Sequence, residues 1–177
     1  PLADIYCTGS DQDWGAIGCQ KYDETYFLNF IDENDKAISY AASFGEDIIC
    51  DELKQNLYEL TKKYLKILVR EDSAVKLLSE CGVKNAKQVL DPTLLTSKED
   101  WNNICNKERL INEDYILIYQ LHHNKNLDKY AKKISKLTGK KLIRINTSKY
   151  FKYKAGKFIY LPSPDEFLSY IKYADIV

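Results

Sequence analysis

Short apolar runs alternate along the chain with segments of helical periodicity. Runs of strand length, bounded by turn residues, predict β-strands at residues 3–7, 37–42, 67–69, 88–90, 115–121, 141–145, 157–160 and 174–177. Between several of these runs, apolar residues recur every three or four positions, as on the buried face of an amphipathic helix. Strands that alternate with helices predict an α/β fold with parallel sheets and flanking helices.

The predicted helices have clear start and stop signals. An apolar stripe predicts a first helix of about 15 residues and comprises Leu53, Leu57, Leu60 and Tyr64. Two later helices end at Gly82 and Gly139, where glycine permits the left-handed C-cap conformation. The segments "SKEDW" and "SPDEF" begin with Ser97 and Ser163, and both are typical of helix N-caps.

Composition limits the class of protein. With 177 residues, of which 45% are hydrophobic and 29% charged, the chain has enough apolar surface for one or two compact domains. Its 26 basic and 26 acidic residues cancel, so no net charge favours nucleic acid or an anionic membrane surface. We interpret the lysine-rich segment at 132–141 as a solvated helix face rather than a nucleic-acid site.

Targeting signals and cysteine spacing indicate the compartment. No apolar stretch approaches the roughly 18 residues of a membrane helix, and no basic-then-apolar signal opens the chain. The five cysteines are widely spread without a C-x-x-C pair, which argues against a disulfide framework and a structural zinc site. We expect a cytoplasmic protein. No acidic cluster of metal-ligand type is evident in the sequence, so we predict no required metal, and we predict no cofactor.

Two features predict how this chain relates to a longer protein. It begins at Pro1 and contains no methionine, so we expect it to be a fragment. The polar stretch "NKERLINED" precedes a new strand-helix-strand series, which predicts a domain boundary near residue 110. The predicted domains are residues 1–110 and residues 111–177.

Polar loops that follow predicted strands are the first candidates for a ligand site, because open α/β sheets bind ligands at the carboxyl ends of their strands. The first such loop, "TGSDQDW", contains Gly9, Ser10, Asp11 and Gln12. Glycine and serine allow a ligand to approach the backbone, and Asp11 has the chemistry of a general base or a sugar-hydroxyl acceptor. The same residue types are also ordinary turn formers. Trp14 suits either a sugar platform or the core.

Three further loops carry candidate residues. Ser43 follows the second strand, and Arg70 and Ser73 lie between a strand and the start of a helix. A guanidinium beside exposed helix N–H groups suits phosphate or carboxylate, although Arg70 could equally form an ion pair with Glu71, Asp72 or Asp47. His122 follows a later strand, where imidazole suits acid-base chemistry or simply a solvated loop.

Six motifs together resemble one family, the polysaccharide pyruvyl transferases. They are "GSDQDW", "YFLNF", "ISYAASFG", "VREDSAVKLL", "VLDPTLL" and "PDEFLSYIKYADIV". Each alone is weak, but they occur in the family's order and with similar spacing over nearly the whole chain. The resemblance implies a fragment of a two-lobed, GT-B-like enzyme with Rossmann-like sheets. Residues 1–110 would form the C-terminal part of the first lobe, and residues 111–177 the N-terminal part of the second.

The resemblance also implies a reaction. Family members transfer pyruvate from phosphoenolpyruvate to sugar hydroxyls and form a ketal. The expected partners are therefore phosphoenolpyruvate and a saccharide or lipid-linked saccharide, with peripheral association with the cytoplasmic membrane through that acceptor. Asp11 would be catalytic. The substrate-binding residues would be Gly9, Ser10, Gln12, Ser43, Arg70, Ser73 and His122.

The family's Ser-Phe-His-Gly motif is expected immediately after Val177, so the catalytic acid is expected outside this chain and the chain alone is expected to be inactive. Two other functions stay open. One is a GT-B glycosyltransferase that uses a nucleotide-sugar, which would share the fold and bind a base and ribose. The other is a non-catalytic saccharide-binding module, which would keep its sugar affinity without Arg70.

Overall fold

The structure is a computed structural model of the chain, and it describes residues 3–15, 21–32, 34–46, 49–105, 108–150 and 154–177. The chain divides into two compact units, Pro1–Thr96 and Ser97–Val177. The boundary that the sequence predicts near residue 110 falls within the second unit. In the part of the chain described, no helix combines the length and the apolar character needed to cross a membrane.

The first unit is built on four strands in the order β1-β2-β3-β4. These strands are β1 (Tyr6–Thr8), β2 (Ala37–Ala42), β3 (Tyr64–Val69) and β4 (Ala86–Gln88). The helical segments are α1 (Asp51–Thr61), α2 (Asp72–Glu80) and the short 3₁₀ helices Glu24–Phe27 and Pro92–Leu94. All three strand pairs are parallel, so the carboxyl ends of the strands lie at one edge. The predicted α/β arrangement is confirmed.

The prediction for Tyr64 was wrong, because Tyr64 begins β3 instead of continuing the first helix. Helix α1 ends at Thr61, and Lys62 is its C-cap. The Tyr64 ring is buried against Trp14, with ring centroids 5.7 Å apart and an interplanar angle of 84°. Its apolar ring coincides with the helical repeat of the preceding leucines, but packing in the core decides its conformation. Strand β4 likewise lies two residues earlier than the predicted 88–90.

An aromatic cluster forms the centre of the first core. Trp14 is 0% exposed and stacks on Phe27 with a centroid distance of 5.1 Å and an angle of 8°. Phe44 and Tyr22 complete the cluster, and Tyr22 contacts Phe27 edge-on at 5.3 Å. The Trp14 indole N–H donates to the Tyr26 carbonyl over 3.3 Å. Trp14 is therefore a core residue and is not available as a sugar platform.

The second unit contains three parallel strands in the order β5-β6-β7. Its strands are β5 (Tyr115–Tyr119), β6 (Lys141–Asn146) and β7 (Lys157–Tyr160), and its helices are α3 (Lys98–Ile104), α4 (Lys125–Thr138) and α5 (Pro164–Lys172). Both predicted N-caps and the Gly139 C-cap are confirmed. The predicted strand at 174–177 is reduced to one isolated parallel bridge between Ile176 and Ile116.

The two faces of the second sheet differ in polarity. Odd-numbered residues of β5 and β6, including Leu117 and Ile143, pack in a cluster with Tyr170 of α5. Even-numbered positions on the opposite face include Arg144 and Asn146, and both are almost completely buried. This face therefore combines buried apolar residues of β5, such as Ile116 and Ile118, with two buried polar side chains of β6 that need hydrogen-bond partners.

Candidate active site

The carboxyl edge of the first sheet brings together the polar loops that follow its strands. The loop after β1 contains Gly9 to Trp14, Ser43 follows β2, Arg70 follows β3 and Asp91 follows β4. Hydrogen bonds join neighbouring loops in this series, as described below. The structure therefore gathers the sequence-predicted residues of the first unit into one edge, as expected for parallel strands.

Gly9 allows the first loop to cross the backbone of β2. Its φ is +130°, and a Cβ atom added at Gly9 would lie 1.9 Å from the Tyr40 carbonyl oxygen. No side chain fits at that distance, so only glycine is compatible with this path. The approach places Ser10 and Asp11 directly beside the end of β2.

Ser43 holds the first loop in place through its backbone. Its N–H donates to the Asp11 carbonyl over 3.0 Å, and its carbonyl accepts from the Trp14 N–H over 3.1 Å. The Gln12 side chain lies over Gly45, where an added Cβ would be 2.7 Å from the Gln12 Cδ atom. With Trp14 anchored in the core, the loop has a defined conformation at both of its ends.

The Asp11 side chain is exposed at this edge. Its Oδ1 atom accepts from the Gln12 backbone N–H over 2.8 Å, and its own N–H donates to Asp13 Oδ2 over 3.3 Å. These are contacts of a turn, and they leave the second oxygen of the Asp11 carboxylate without a hydrogen bond to the described part of the chain. The exposed Asp11 carboxylate thus uses one oxygen in the turn and keeps the acceptor capacity of the other.

Arg70 connects three of the loops. Its Nη1 atom donates to the Ser10 carbonyl over 3.2 Å and to Asp91 Oδ2 over 3.3 Å, and its Nε lies 3.8 Å from Glu71 Oε2. Its side chain is 32% exposed. The sequence named Glu71 as one possible partner, and that ion pair is present. Asp72 instead pairs with Lys76 over 3.0 Å, and Asp47 lies outside the described residues.

The Arg70 environment is therefore acidic. One guanidinium lies beside two carboxylates, so an anion that binds there must compete with Asp91 and Glu71. Sequence reasoning missed Asp91 as a site residue. The signal that could have identified it is "DPT", since an Asp followed by proline is typical of a helix N-cap.

Asp91 is held ionised by its cap contacts. The Thr93 hydroxyl donates to Asp91 Oδ1 over 2.7 Å and the Thr93 backbone N–H donates over 3.0 Å. These hydrogen bonds, with a smaller contribution from Arg70, lower the pKa of the Asp91 carboxyl below its usual value. A lowered pKa keeps the negative charge beside Arg70 at neutral pH.

Glu71 and Ser43 form a second contact at the start of α2. The Ser43 hydroxyl donates to Glu71 Oε1 and also accepts from the Gly45 N–H over 3.0 Å. Glu71 is the N-cap residue of α2, and Ser73 is the second residue of that helix. Ser73 is half-buried beside the first N–H groups of the helix, the position that the sequence predicted.

A family model for polysaccharide pyruvyl transferase matches residues 2–177. This chain belongs to the polysaccharide pyruvyl transferase family. It is thus a member of a transferase family, and the match covers both compact units. Neither the curated proteins nor the solved structures include a significant match to it.

The remaining residue that the sequence predicted to bind substrate is His122, and it belongs to the second unit of this pyruvyl transferase family member. It lies beyond the carboxyl end of β5, and its side chain is exposed. His123 is next to it, and its ring contacts Tyr150 with centroids 6.4 Å apart. Within the described ranges, no group of three or more histidine, cysteine or acidic side chains is arranged to hold a metal ion.

Proposed function

We propose that this protein transfers pyruvate from phosphoenolpyruvate to two hydroxyl groups of a saccharide and forms a cyclic ketal. The observation that carries this proposal is the family match over residues 2–177. The position of the polar loops that contain Asp11, Arg70 and Asp91 supports it, because they lie at the carboxyl edge of the first sheet, where α/β enzymes bind their ligands.

The chemistry defines what the site must supply. Protonation of the methylene carbon of the enolpyruvyl group creates an oxocarbenium-like centre at the adjacent carbon, which one sugar hydroxyl attacks. A second hydroxyl then displaces phosphate and closes the ketal. Of the two hydroxyl protons, one is balanced by the proton added to the methyl carbon and the other leaves with phosphate. The site needs an acid, a base and groups that stabilise the donor anion.

We assign these tasks to the residues at the strand ends. Asp11 is the base that accepts a proton from the acceptor hydroxyl, through the carboxylate oxygen that the turn does not use. Gly9, Ser10 and Gln12 shape the surrounding loop and bind the substrate through their backbone and side-chain polar groups. Ser43, which the sequence predicted to bind substrate, is buried with its hydroxyl and backbone groups in internal hydrogen bonds, so it holds the loop instead. Proton transfer to Asp11 requires a fixed position of its carboxylate, and the backbone contacts of Ser43 supply it by keeping the loop in one conformation.

The donor anion is assigned to the start of α2. Arg70 offers a guanidinium, and the first N–H groups of the helix near Ser73 offer hydrogen-bond donors with a favourable helix dipole. The neighbouring carboxylates Asp91 and Glu71 weaken this attraction, so Arg70 must exchange its contact with Asp91 for one with the donor. In the second unit, His122 is proposed to bind substrate.

The proposed setting follows the family. The two units would be parts of the two lobes of a GT-B-like enzyme in the cytoplasm. The acceptor would be a saccharide or a lipid-linked saccharide, and the enzyme would contact the membrane surface only through that acceptor. Phosphoenolpyruvate is a substrate in this scheme, and no cofactor is assigned.

A phosphate-release assay tests the proposal. The full-length protein is incubated with phosphoenolpyruvate and a panel of lipid-linked and aryl sugars, and the products are analysed by mass spectrometry for a pyruvyl ketal. We expect phosphate release that requires a sugar, together with a pyruvylated sugar in equal amount. Phosphate release without sugar would indicate simple hydrolysis. A thermal melt of the full-length protein gives a second test. If UDP raises the melting temperature and phosphoenolpyruvate does not, the protein is a nucleotide-sugar glycosyltransferase and the proposal fails.

A further inference from the structure

A buried arginine lies beneath the carboxyl edge of the second sheet. Arg144, on β6, is only 1% exposed. Its Nη1 atom donates to the side-chain carbonyl of Gln120, and its Nη2 atom donates to Asp128 Oδ1 over 2.7 Å. Gln120 is itself buried, just past the end of β5, and Asp128 lies in the first turn of α4.

The two partners of Arg144 flank one short loop. Gln120 precedes His122 by two residues, and Asn124 is the N-cap of α4, four residues before Asp128. The Asn124 side chain accepts from the Asn126 N–H over 2.9 Å, so the loop runs directly into the helix that carries Asp128. One guanidinium therefore links the two ends of the segment that carries His122 and His123.

Two further side chains, Asn146 and Lys154, contact the partners of Arg144. The Asn146 side-chain amide donates to the backbone carbonyl of Gln120, and the Asn146 side-chain oxygen accepts from the Ser148 N–H over 2.6 Å. Lys154 lies 3.5 Å from the other oxygen of Asp128. The end of β5 is thus held by two buried side chains of β6, and they lie on the sheet face from which Arg144 contacts Asp128 of α4.

Stability alone does not account for this cluster. Arg144 Nε and Gln120 Nε2 are buried without a hydrogen-bond partner in the described part of the chain. Each unpaired buried donor carries a desolvation cost, and a buried ion pair is often no more stabilising than apolar side chains of similar volume. The sheet face around Arg144 already contains apolar residues such as Ile116 and Ile118, so apolar packing suits this position.

We propose that Arg144 is a positioning residue: by holding Gln120 and Asp128 together, it fixes the loop that presents His122 to the substrate. This inference rests on the proposed function of His122 and adds a residue that acts through it. We therefore expect that a variant with apolar side chains in place of this cluster folds well. It should nevertheless lose both the order of the loop and the contribution of His122 to turnover.

The first experiment measures the loop without substrate. The triple variant Gln120→Met, Asp128→Leu, Arg144→Met removes the cluster without leaving a buried unpaired charge, since Lys154, which loses its contact with Asp128, has a side chain that is 25% exposed. We expect a melting temperature equal to or above that of the wild type, while backbone NMR order parameters at 121–124 fall from roughly 0.85 to below about 0.6. The control Arg109→Met removes a partly exposed arginine of the same unit, and it should leave those order parameters unchanged.

Three outcomes of this experiment overturn the inference. They are a wild-type loop that is already flexible, a triple variant whose loop keeps its order, and a triple variant that does not fold, which would make the cluster structural. The variant Arg144→Lys gives a second test in a chain that keeps its buried charge. A single ammonium cannot bind both partners in the geometry of the guanidinium, so the order at 121–124 should again fall.

The second experiment combines the variants in a double-mutant cycle of turnover. The triple variant and His122→Ala should each reduce phosphate release by about 10²-fold, and the combination should lose no more than either alone. Multiplied losses would show that Arg144 does not act through His122. If the wild type releases no phosphate with any sugar, the proposed function fails, and the order parameters then decide the inference about Arg144 by themselves.

Discussion

Arg70 and Ser10 lie 60 residues apart in the sequence and are joined by a hydrogen bond of 3.2 Å from the guanidinium Nη1 to the Ser10 carbonyl. The bond links the end of β3 to the loop after β1, across the strand that separates them in the sheet. Arg70 therefore holds the loop that carries Asp11 as well as offering charge to a ligand. Variants of Arg70 must be interpreted with both roles in view.

Replacement of Arg70 by lysine should weaken donor binding and spare the fold. Lysine keeps the charge but loses the planar, multiply hydrogen-bonding guanidinium, so we expect the donor interaction to weaken by roughly 1.5–3 kcal/mol. The measurement is kcat/KM for phosphoenolpyruvate, together with a thermal melt. The matched control is Arg109→Lys in the second unit. Unchanged kinetics for Arg70→Lys would remove Arg70 from the donor site.

Replacement of Asp91 by asparagine tests the competition for Arg70 from the opposite direction. The carboxylate pairs with Arg70 over 3.3 Å, and asparagine keeps the cap acceptor for Thr93 without the charge. If Arg70 binds the donor anion, KM for phosphoenolpyruvate should fall by about two- to fivefold at low ionic strength, and the gain should shrink as salt is added. A rise in KM would mean that Asp91 itself supports substrate binding.

Replacement of Asp11 by asparagine separates catalysis from turn formation. Asparagine keeps an acceptor for the Gln12 N–H but removes the basic carboxylate, so turnover should fall by about 10²–10⁴-fold with little loss of stability. Asp13→Asn is the control, since an amide oxygen can still accept from the Asp11 N–H. A variant of Asp11 that melts earlier but turns over normally would limit Asp11 to a role in the turn.

Replacement of Gly9 by alanine should disrupt the first loop. The added methyl group would lie 1.9 Å from the Tyr40 carbonyl oxygen at a φ of +130°, so we expect a loss of about 3 kcal/mol or more in the free energy of unfolding. Gly139→Ala is the matched control, because its φ is +71° and no atom lies within 4 Å of the added Cβ. That variant should lose only about 1–2 kcal/mol. Urea unfolding measures both, and equal losses would contradict the close approach.

Stability of the second unit should depend on the ionisation of Asp175. The Lys140 hydrogen bond, followed by the Tyr115 backbone N–H, lowers the pKa of Asp175 below its usual value. A carboxyl whose pKa is lower in the folded state stabilises the fold above its unfolded pKa, and that contribution is lost as pH falls through the folded pKa. The stability difference between wild type and Asp175→Asn should therefore be full above about pH 5 and shrink below about pH 4. The exposed Asp4→Asn is the control, and a difference that does not vary with pH would contradict this origin.

The sequence alone determined most of the secondary structure. Apolar periodicity and glycine or serine punctuation predicted helices at Ser97, Ser163 and before Gly139, and those boundaries are local because a cap is formed by residues within one helical turn. Parallel strand topology then followed from the alternation of strands with helices. That topology was enough to predict that the loops containing Asp11, Ser43 and Arg70 share one edge.

Only the tertiary structure decided which side chains meet. Tyr64 belongs to a strand because its ring packs on Trp14, although its spacing continues a helical stripe. Asp91 pairs with Arg70 and Arg144 lies buried between Gln120 and Asp128, and neither relationship leaves a periodic pattern in the sequence. The physical reason is that periodicity reports the face on which a residue lies. The order and register of the strands, which depend on packing over the whole unit, decide what lies opposite that face.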